Sequence, residues 1–301
     1  MVLNVRYSGS SAVVDELYPT FPVRPAAGPR DGRRVPPHLF DAWPAVGAGI
    51  RLAERIVLLL DFDGTLTPIR DHPAQVTLDP LTRSQLEQLA KRREVKVSII
   101  TGRRQSDVQQ RVGLPGIDYV GVHGWEGRDG YRSMDSTLRL MGQARRFLEP
   151  SIFGLPGIWI EDKGPALAIH YRKAEPASVQ WARIAVRALT RVFEPGLRVV
   201  SGKKTWEIFP RFFPGKSGAV RAILARHPPG VLPVYVGDDT VDEPVFHALQ
   251  GGITVRVGRK ARTYAQYRLA SPDEVRGFLE RIDQERERRL ATASSPTPLP
   301  V

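Results

Sequence analysis

Asp61-Phe62-Asp63-Gly64-Thr65 follows directly on the apolar run Ile56-Val57-Leu58-Leu59-Leu60. A carboxylate at the end of a buried strand can attack phosphorus, and a second one two positions on can handle protons. Asp61 is therefore the candidate nucleophile of an aspartyl-phosphate route. Asp63 would protonate the leaving oxygen and later deprotonate the attacking water. Gly64 lets the chain turn sharply around a phosphate. Acids this close repel unless a cation lies between them, and Mg²⁺ suits an all-oxygen site that keeps several waters. Four fixed positions of this kind arise by chance in roughly one chain of this length in several hundred. The competing reading makes Asp61 a helix cap or a turn acid.

Three further groups could complete such a site. Thr101-Gly102-Arg103 follows a second apolar run, where a hydroxyl and backbone N–H groups at a helix start can bind a phosphoryl oxygen or simply cap the helix. Lys216 precedes a helical pattern of Val220, Ile223 and Leu224 and could neutralise phosphate and nucleophile; a lone lysine is more often merely solvated, and only its company favours the site. Asp238-Asp239 and Asp242-Glu243 concentrate like charge after Val234-Tyr235-Val236. Asp61, Asp63 and Asp238 are the expected metal ligands, with Asp239 and Asp242 supporting them. A solvated acidic helix start is the alternative for Asp239 and Glu243.

The elements that would position these residues alternate between strand and helix. Ile56 to Leu60 reads as a strand buried on both faces, Val95 to Ile100 as a second, Tyr119 to Val122 as a third and Val234 to Val236 as a fourth. Asp79-Pro80 supplies an N-cap and a first-turn proline to a helix with Leu81, Leu86 and Leu89, and Ser271 with Glu274 starts a closing helix. Acids that end strands of one parallel sheet meet in the crevice beyond the carboxyl edge. The middle differs in texture: strands at Ile158 to Glu161 and Ala166 to Tyr171, then a helix striped by Val179, Ala182, Val186, Leu189 and Phe193. The fold expected is α/β, a Rossmann-like core with a smaller inserted α/β domain. Core segments run over 45–123 and 208–290, and the insertion over 124–207. A Pro-rich arm at 1–44, with Phe21, Phe40 and Trp43 as possible anchors, precedes the core, and a flexible tail at 291–301 follows it.

Composition bounds the rest. The 301 residues are 42% hydrophobic and 25% charged, as in ordinary globular proteins. Having no cysteine, the chain has no thiolate metal site, disulfide or cysteine nucleophile. The net charge of +12 is spread over scattered pairs such as Arg103-Arg104 and Arg145-Arg146 without interleaved aromatics. That pattern argues against nucleic acid and suits an anionic small molecule. No run has the length of a membrane span, and no basic start with an apolar core opens the chain, so a soluble cytoplasmic protein is expected.

Together these residues resemble the phosphatases of the haloacid dehalogenase superfamily. Asp61 to Thr65, Thr101, Lys216 and Gly237-Asp238-Asp239-x-x-Asp242 match its four motifs in order. Longer stretches are similar to the trehalose-6-phosphate phosphatase family: Asp61 to Ile69 with Asp71-His72-Pro73, His123-Gly124 with Glu126, Glu161 to Gly164 leading to His170-Tyr171-Arg172, and Gly202-Lys203-Lys204 with Glu207-Ile208. The resemblance implies a mobile cap inserted between the second and third motifs, Mg²⁺ dependence, and trehalose plus phosphate as products. It also implies that Glu161, Lys163, Arg172, Lys203 and Glu207 grip sugar hydroxyls, with Gly64, Arg103, His123 and Gly124 at the substrate too. Alternation supports part of this, since Lys203, Thr205 and Glu207 would share one face of an extended segment.

Three departures stand out: Val122 where the family commonly has Asn, Thr240-Val241 in the fourth motif, and Phe213-Pro214-Gly215 ahead of Lys216. Rival readings are another sugar phosphate (sucrose-6-phosphate or a glycosylglycerol phosphate) and a non-catalytic sugar-phosphate-binding partner of a synthase. Association with a trehalose-6-phosphate synthase is a further expectation, and a monomer is favoured.

Overall fold

A computed structural model describes residues 33–127, 134–213, 215–249 and 251–293. In chain order the elements are α1 (Trp43–Leu52), β1 (Ile56–Leu60), α2 (Pro80–Lys91), β2 (Val95–Ile100), α3 (Gln105–Val112), β3 (Asp118–Val120), α4 (Met134–Ile152), β4 (Trp159–Asp162) and β5 (Leu167–His170). They continue with α5 (Pro176–Val192), β6 (Leu197–Gly202), β7 (Thr205–Pro210), α6 (Gly215–Leu224), β8 (Leu232–Gly237), α7 (Glu243–Ala248), β9 (Ile253–Val257), β10 (Tyr267–Leu269) and α8 (Pro272–Ala293).

Six strands form one parallel sheet in the order β10-β9-β8-β1-β2-β3. β1 lies at its centre, and the strand alternation divides its side chains between two cores. Ile56, Leu58 and Leu60 join Val46, Leu86, Val108 and Phe278 on one face, while Val57 and Leu59 join Val220, Ile223 and Phe246 on the other. Register then sets the chemistry: Leu60 pairs with Ile99 on one side and Val236 on the other. The residues that follow, Asp61, Thr101 and Asp238, all leave the sheet at the same carboxyl edge.

The second sheet is antiparallel, ordered β4-β5-β7-β6, and packs against α4 and α5 through Met141, Leu148, Ile169, Ala182, Val186, Leu189 and Ile208. A parallel core with a smaller inserted α/β cap is the architecture expected. β7 runs on to Pro210, beyond the boundary expected at residue 207.

Local details differ from expectation for identifiable reasons. β3 stops at Val120 because Val122 and His123 both take left-handed backbone, with φ of 43° and 51°. The interior strand β9 and the edge strand β10 have no counterpart among the strands expected from the sequence. Lys203 is not in strand: Lys203-Lys204 is the two-residue turn between β6 and β7, with Lys204 at φ 67° and Gly202 paired to Thr205. Only Thr205 and Glu207 therefore share the strand face assigned to all three.

Asp79 caps α2 as its sequence predicts, accepting from Thr82 N at 2.9 Å. Of the arm, residues 33–44 lie against the core: Arg34 bridges Thr263, His38 bridges Arg268, and Trp43 meets Phe278 edge-on at 6.1 Å. Phe40 lies under Arg281, whose guanidinium is 4.3 Å from its ring. Phe21 lies outside the described residues. Helix α8 continues to Ala293, into the stretch expected as tail. Among the described residues no helix is long and apolar enough to cross a membrane.

Candidate active site

The carboxyl edge of the parallel sheet opens into a cleft of about 700 Å³, closed on its far side by the antiparallel sheet. Asp61, Asp63, Thr101, Arg103, His123, Lys216, Asp238 and Asp239 line it from the core, and Glu161, Lys163, Arg172, Lys203 and Glu207 line it from the cap.

Asp61 is 5% exposed, and its backbone N–H donates to Val236 O at 2.9 Å, which continues the β1–β8 pairing. The Lys216 ammonium donates to Asp61 Oδ1 at 2.6 Å and to Asp242 Oδ1 at 2.7 Å. Asp242 is saturated: the Tyr235 hydroxyl donates to Oδ1, and the backbone N–H groups of Asp238 and Asp239 donate to Oδ2. Burial pushes the Asp61 carboxyl well above the usual carboxylate range, Lys216 opposing and Asp242 and Asp238 adding to the push. Burial also raises Asp238 to about 6, against the pull of Lys203. Burial would lower Lys216, but Asp242 and Asp61 outweigh it and hold the ammonium well above the ordinary lysine value.

Asp61, Asp238 and Asp242 each offer a carboxylate oxygen, all within 4.8 Å of one another. Crowded acids raised by burial and by each other are what a divalent cation relieves, and oxygen-only donors suit Mg²⁺. With Asp242 saturated, Asp61 and Asp238 are the residues with room for it. The structure does not bring the Asp63 carboxylate into this group. Arg103 holds it bidentately, both bonds at 2.7 Å, the charge-assisted fork geometry of a strong arginine–carboxylate pair. Asp107, one helical turn beyond Arg103, fixes the guanidinium at 2.8 Å. Asp239 stands outside the crowded acids and caps Thr240 N at 2.7 Å.

Gly64 has φ +83°, and a Cβ there would stand 1.9 Å from Asp238 Oδ2. The first motif thus approaches the fourth more closely than any side chain permits. Gly124 faces the first turn of α6 instead of the cleft, where a Cβ would meet Ala219 at 2.9 Å. Thr101 Oγ1 accepts from Arg103 N at 3.2 Å and so caps its own turn. Glu126 accepts from Gln105 N at the start of α3, a structural role.

On the cap, the Lys163 ammonium donates to Glu207 Oε1 at 2.9 Å and lies 3.9 Å from Glu161. Glu161 pairs with His170 at 2.8 Å, and Arg172 donates to the Lys203 carbonyl at 2.9 Å. The Glu207–Lys163 pair is buried, with both residues under a tenth exposed. His123 Nε2 lies 2.7 Å from Glu207 Oε2 but off the N–H axis, a polar contact between core and cap.

The three departures are absorbed. Val122 is fully buried with Trp125, Ala166, Phe209 and Phe213, so packing replaces a polar contact. Phe213 stacks on Phe209 at 4.8 Å, and Lys216 still reaches Asp61. Thr240 donates to the Ser201 carbonyl of the cap at 2.6 Å.

The trehalose-phosphatase family model matches residues 59–273, from the end of β1 through the cap and the remaining core strands, with all four motifs. The chain belongs to the trehalose-phosphatase family. The trehalose-phosphate phosphatase of Mycobacterium ulcerans is 34% identical over 277 residues, covering 86% of this chain and 69% of the relative. That of Mycobacterium avium is 33% identical over 305 residues, covering 94% and 75%. Among solved structures, the C-terminal domain of C. albicans trehalose-6-phosphate phosphatase superposes with a TM-score of 0.74 at 24% identity, over 83% of this chain and 99% of that one, and so shares its fold. As a member of the trehalose-phosphatase family the chain is an enzyme, a phosphoric monoester hydrolase.

Reading this family's motifs leaves out residues that the site uses. In the sequence Tyr235 reads as one apolar residue of a strand; a hydroxyl within an aliphatic buried run is the available signal. Asp107 carried another, its i+4 spacing from Arg103. Trp159 stacks on its cross-strand partner His170 at 3.9 Å within the cap and on His72 of the core at 6.0 Å, and the second contact gave no signal because it exists only across the cleft.

Proposed function

We propose that the chain hydrolyses trehalose-6-phosphate to trehalose and inorganic phosphate. The observation that carries this reading is Asp61, buried at a strand end on Lys216, facing cap residues Glu161, Lys163 and Glu207 across one cleft. Phosphate chemistry sits on one wall and hydroxyl-binding groups on the other, separated by space for a small ligand.

An Asp61 carboxylate oxygen attacks phosphorus as the sugar oxygen departs. Asp63, held by Arg103, gives that oxygen a proton and later takes one from the water that attacks the aspartyl-phosphate, which frees phosphate and restores Asp61. Lys216 neutralises Asp61 and the incoming phosphoryl charge, and Thr101 offers its hydroxyl beside them. Mg²⁺ held by Asp61 and Asp238 would supply further neutralisation of the phosphoryl oxygens. The cap excludes bulk water and orients the sugar through Glu161, Lys163, Arg172, Lys203 and Glu207. Arg70, Arg104, Arg111 and Lys173 around the cleft favour an anionic substrate.

The test is phosphate release from trehalose-6-phosphate with Mg²⁺ and with EDTA, beside sucrose-6-phosphate, a glycosylglycerol phosphate and glucose-6-phosphate. Fast, EDTA-sensitive release from the first is expected. Preference for a monosaccharide phosphate would overturn the substrate, and full turnover in EDTA would overturn the metal.

A further inference from the structure

The tip of the β6–β7 hairpin lies on the segment that follows β8, and three contacts fasten it there. The Lys203 backbone N–H donates to Asp239 Oδ2 at 3.2 Å, the Lys203 ammonium donates to Asp238 Oδ2, and the Thr240 hydroxyl donates to the Ser201 carbonyl at 2.6 Å. Gly202 permits the approach, because a Cβ there would stand 3.0 Å from Asp239 Oδ2. Arg172, donating to the Lys203 carbonyl, braces the turn from within the cap.

The two partners of the central contact differ in their freedom to leave. The Lys203 side chain is 40% exposed and the Asp238 side chain 3%. Lys203 can return to water at small cost, whereas Asp238 needs another cation once Lys203 has gone. Asp238 is also one of the two carboxylates with room for a divalent ion. An ammonium and a divalent ion drawn to one carboxylate repel each other at that distance.

We infer that the hairpin tip is a clasp in competition with the cation. Cation binding at Asp238 displaces Lys203 and loosens this edge of the cap, and the docked hairpin weakens cation binding by the same factor. The inference rests on the cation site of the proposed reading. On the other side of the cleft the cap is held by Arg104 on the Asp162 carbonyl and by His72 on Trp159, away from the acids. The cap therefore pivots as the clasp opens, and Lys203 is released toward the substrate space only in the loaded enzyme. Thr240, a departure from the family's fourth motif, gains a use as the second catch.

The test is Mg²⁺ binding to the substrate-free full chain by titration calorimetry, in wild type, Lys203→Met and Thr240→Val. Lys203→Met is expected to bind Mg²⁺ about fivefold or more tightly than wild type. The Thr240 hydroxyl contacts the Ser201 carbonyl and, at 3.3 Å, Asp239 Oδ1, and neither Asp61 nor Asp238, so tighter binding in Thr240→Val, by a smaller factor, reads the linkage itself. The chain has no cysteine, so dyes on Leu52→Cys in α1 and Phe153→Cys beyond α4, both exposed, report the core-to-cap distance without competing thiols. Mg²⁺ is expected to shift that distance in wild type, and Lys203→Met to start from the shifted value. Equal or weaker binding in Lys203→Met overturns the clasp and leaves the cation site standing. No binding in any of the three proteins removes site and clasp together.

Discussion

The Lys216 ammonium lies 2.6 Å from Asp61 Oδ1, joining the start of α6 to the end of β1 at the buried floor of the cleft. It also bonds Asp242, so one cation balances two buried carboxylates. Removing it leaves both uncompensated.

Lys216→Met is therefore expected to be a double lesion. Stability falls by about 3–5 kcal/mol, the usual cost of taking one partner from a buried ion pair. Turnover falls a further hundred- to thousandfold or so beyond what unfolding explains, as when one preorganised charge is removed from a transition state. Urea melts and phosphate release at a temperature where the variant is folded separate the two.

Asp61→Asn should behave in the opposite way on stability. Burial and the neighbouring acids hold the Asp61 carboxyl well above its usual range, so charge there is unfavourable, and an amide relieves it while Lys216 keeps Asp242. A thermal melt at or above that of wild type is expected, with phosphate release at background. Such a trade is common where a site is built for chemistry at the expense of stability. Retained turnover would remove Asp61 as nucleophile.

Gly64→Ala tests the approach of the first motif to the fourth. Its φ of +83° is left-handed, and the new Cβ would overlap Asp238 Oδ2. Backbone strain of about 1–3 kcal/mol is expected. Moving Asp238 by even an ångström costs roughly a hundredfold in turnover. Mg²⁺ titration followed by thermal shift should show weaker binding than wild type; unchanged affinity would mean that Asp238 is not part of the cation site.

Some of this was legible before any coordinates. A five-residue aliphatic run ending in two acids and a glycine permits few structures, and β1 formed where the run lies because a strand buried on both faces needs no alternation to be recognised. Strand-end residues of parallel neighbours must share an edge, so Asp61, Thr101 and Asp238 converge. The Asp63 carboxylate was expected at the cation and points to Arg103 instead, because spacing places a Cα and does not choose between two partners for a side chain. Lys203 was placed on a strand face, but period-2 alternation is blind to a two-residue turn when neither residue is Gly or Asn. The contacts of Lys203 with Asp238, Thr240 with Ser201 and His72 with Trp159 depend on how two sheets dock, which no local pattern encodes.

Glu207 gives the pH prediction. Burial alone would raise its carboxyl, but His123 and Lys163 pull harder, and the net effect holds it far below the ordinary glutamate value of 4.5. A carboxyl depressed on folding contributes stability that is fully present above the unfolded pKa and is lost as pH falls through the folded one. Wild type should therefore lose stability steadily as pH drops below about 4.5, with part of the slope belonging to Glu207. In Glu207→Gln that part vanishes. The variant is expected to be less stable at neutral pH by about 2 kcal/mol, since Lys163 keeps only the longer contact with Glu161. The gap to wild type should narrow progressively with acid. Melts of both proteins across pH 3 to 7 check this, and a constant gap would show that Glu207 contributes through packing and not through its charge.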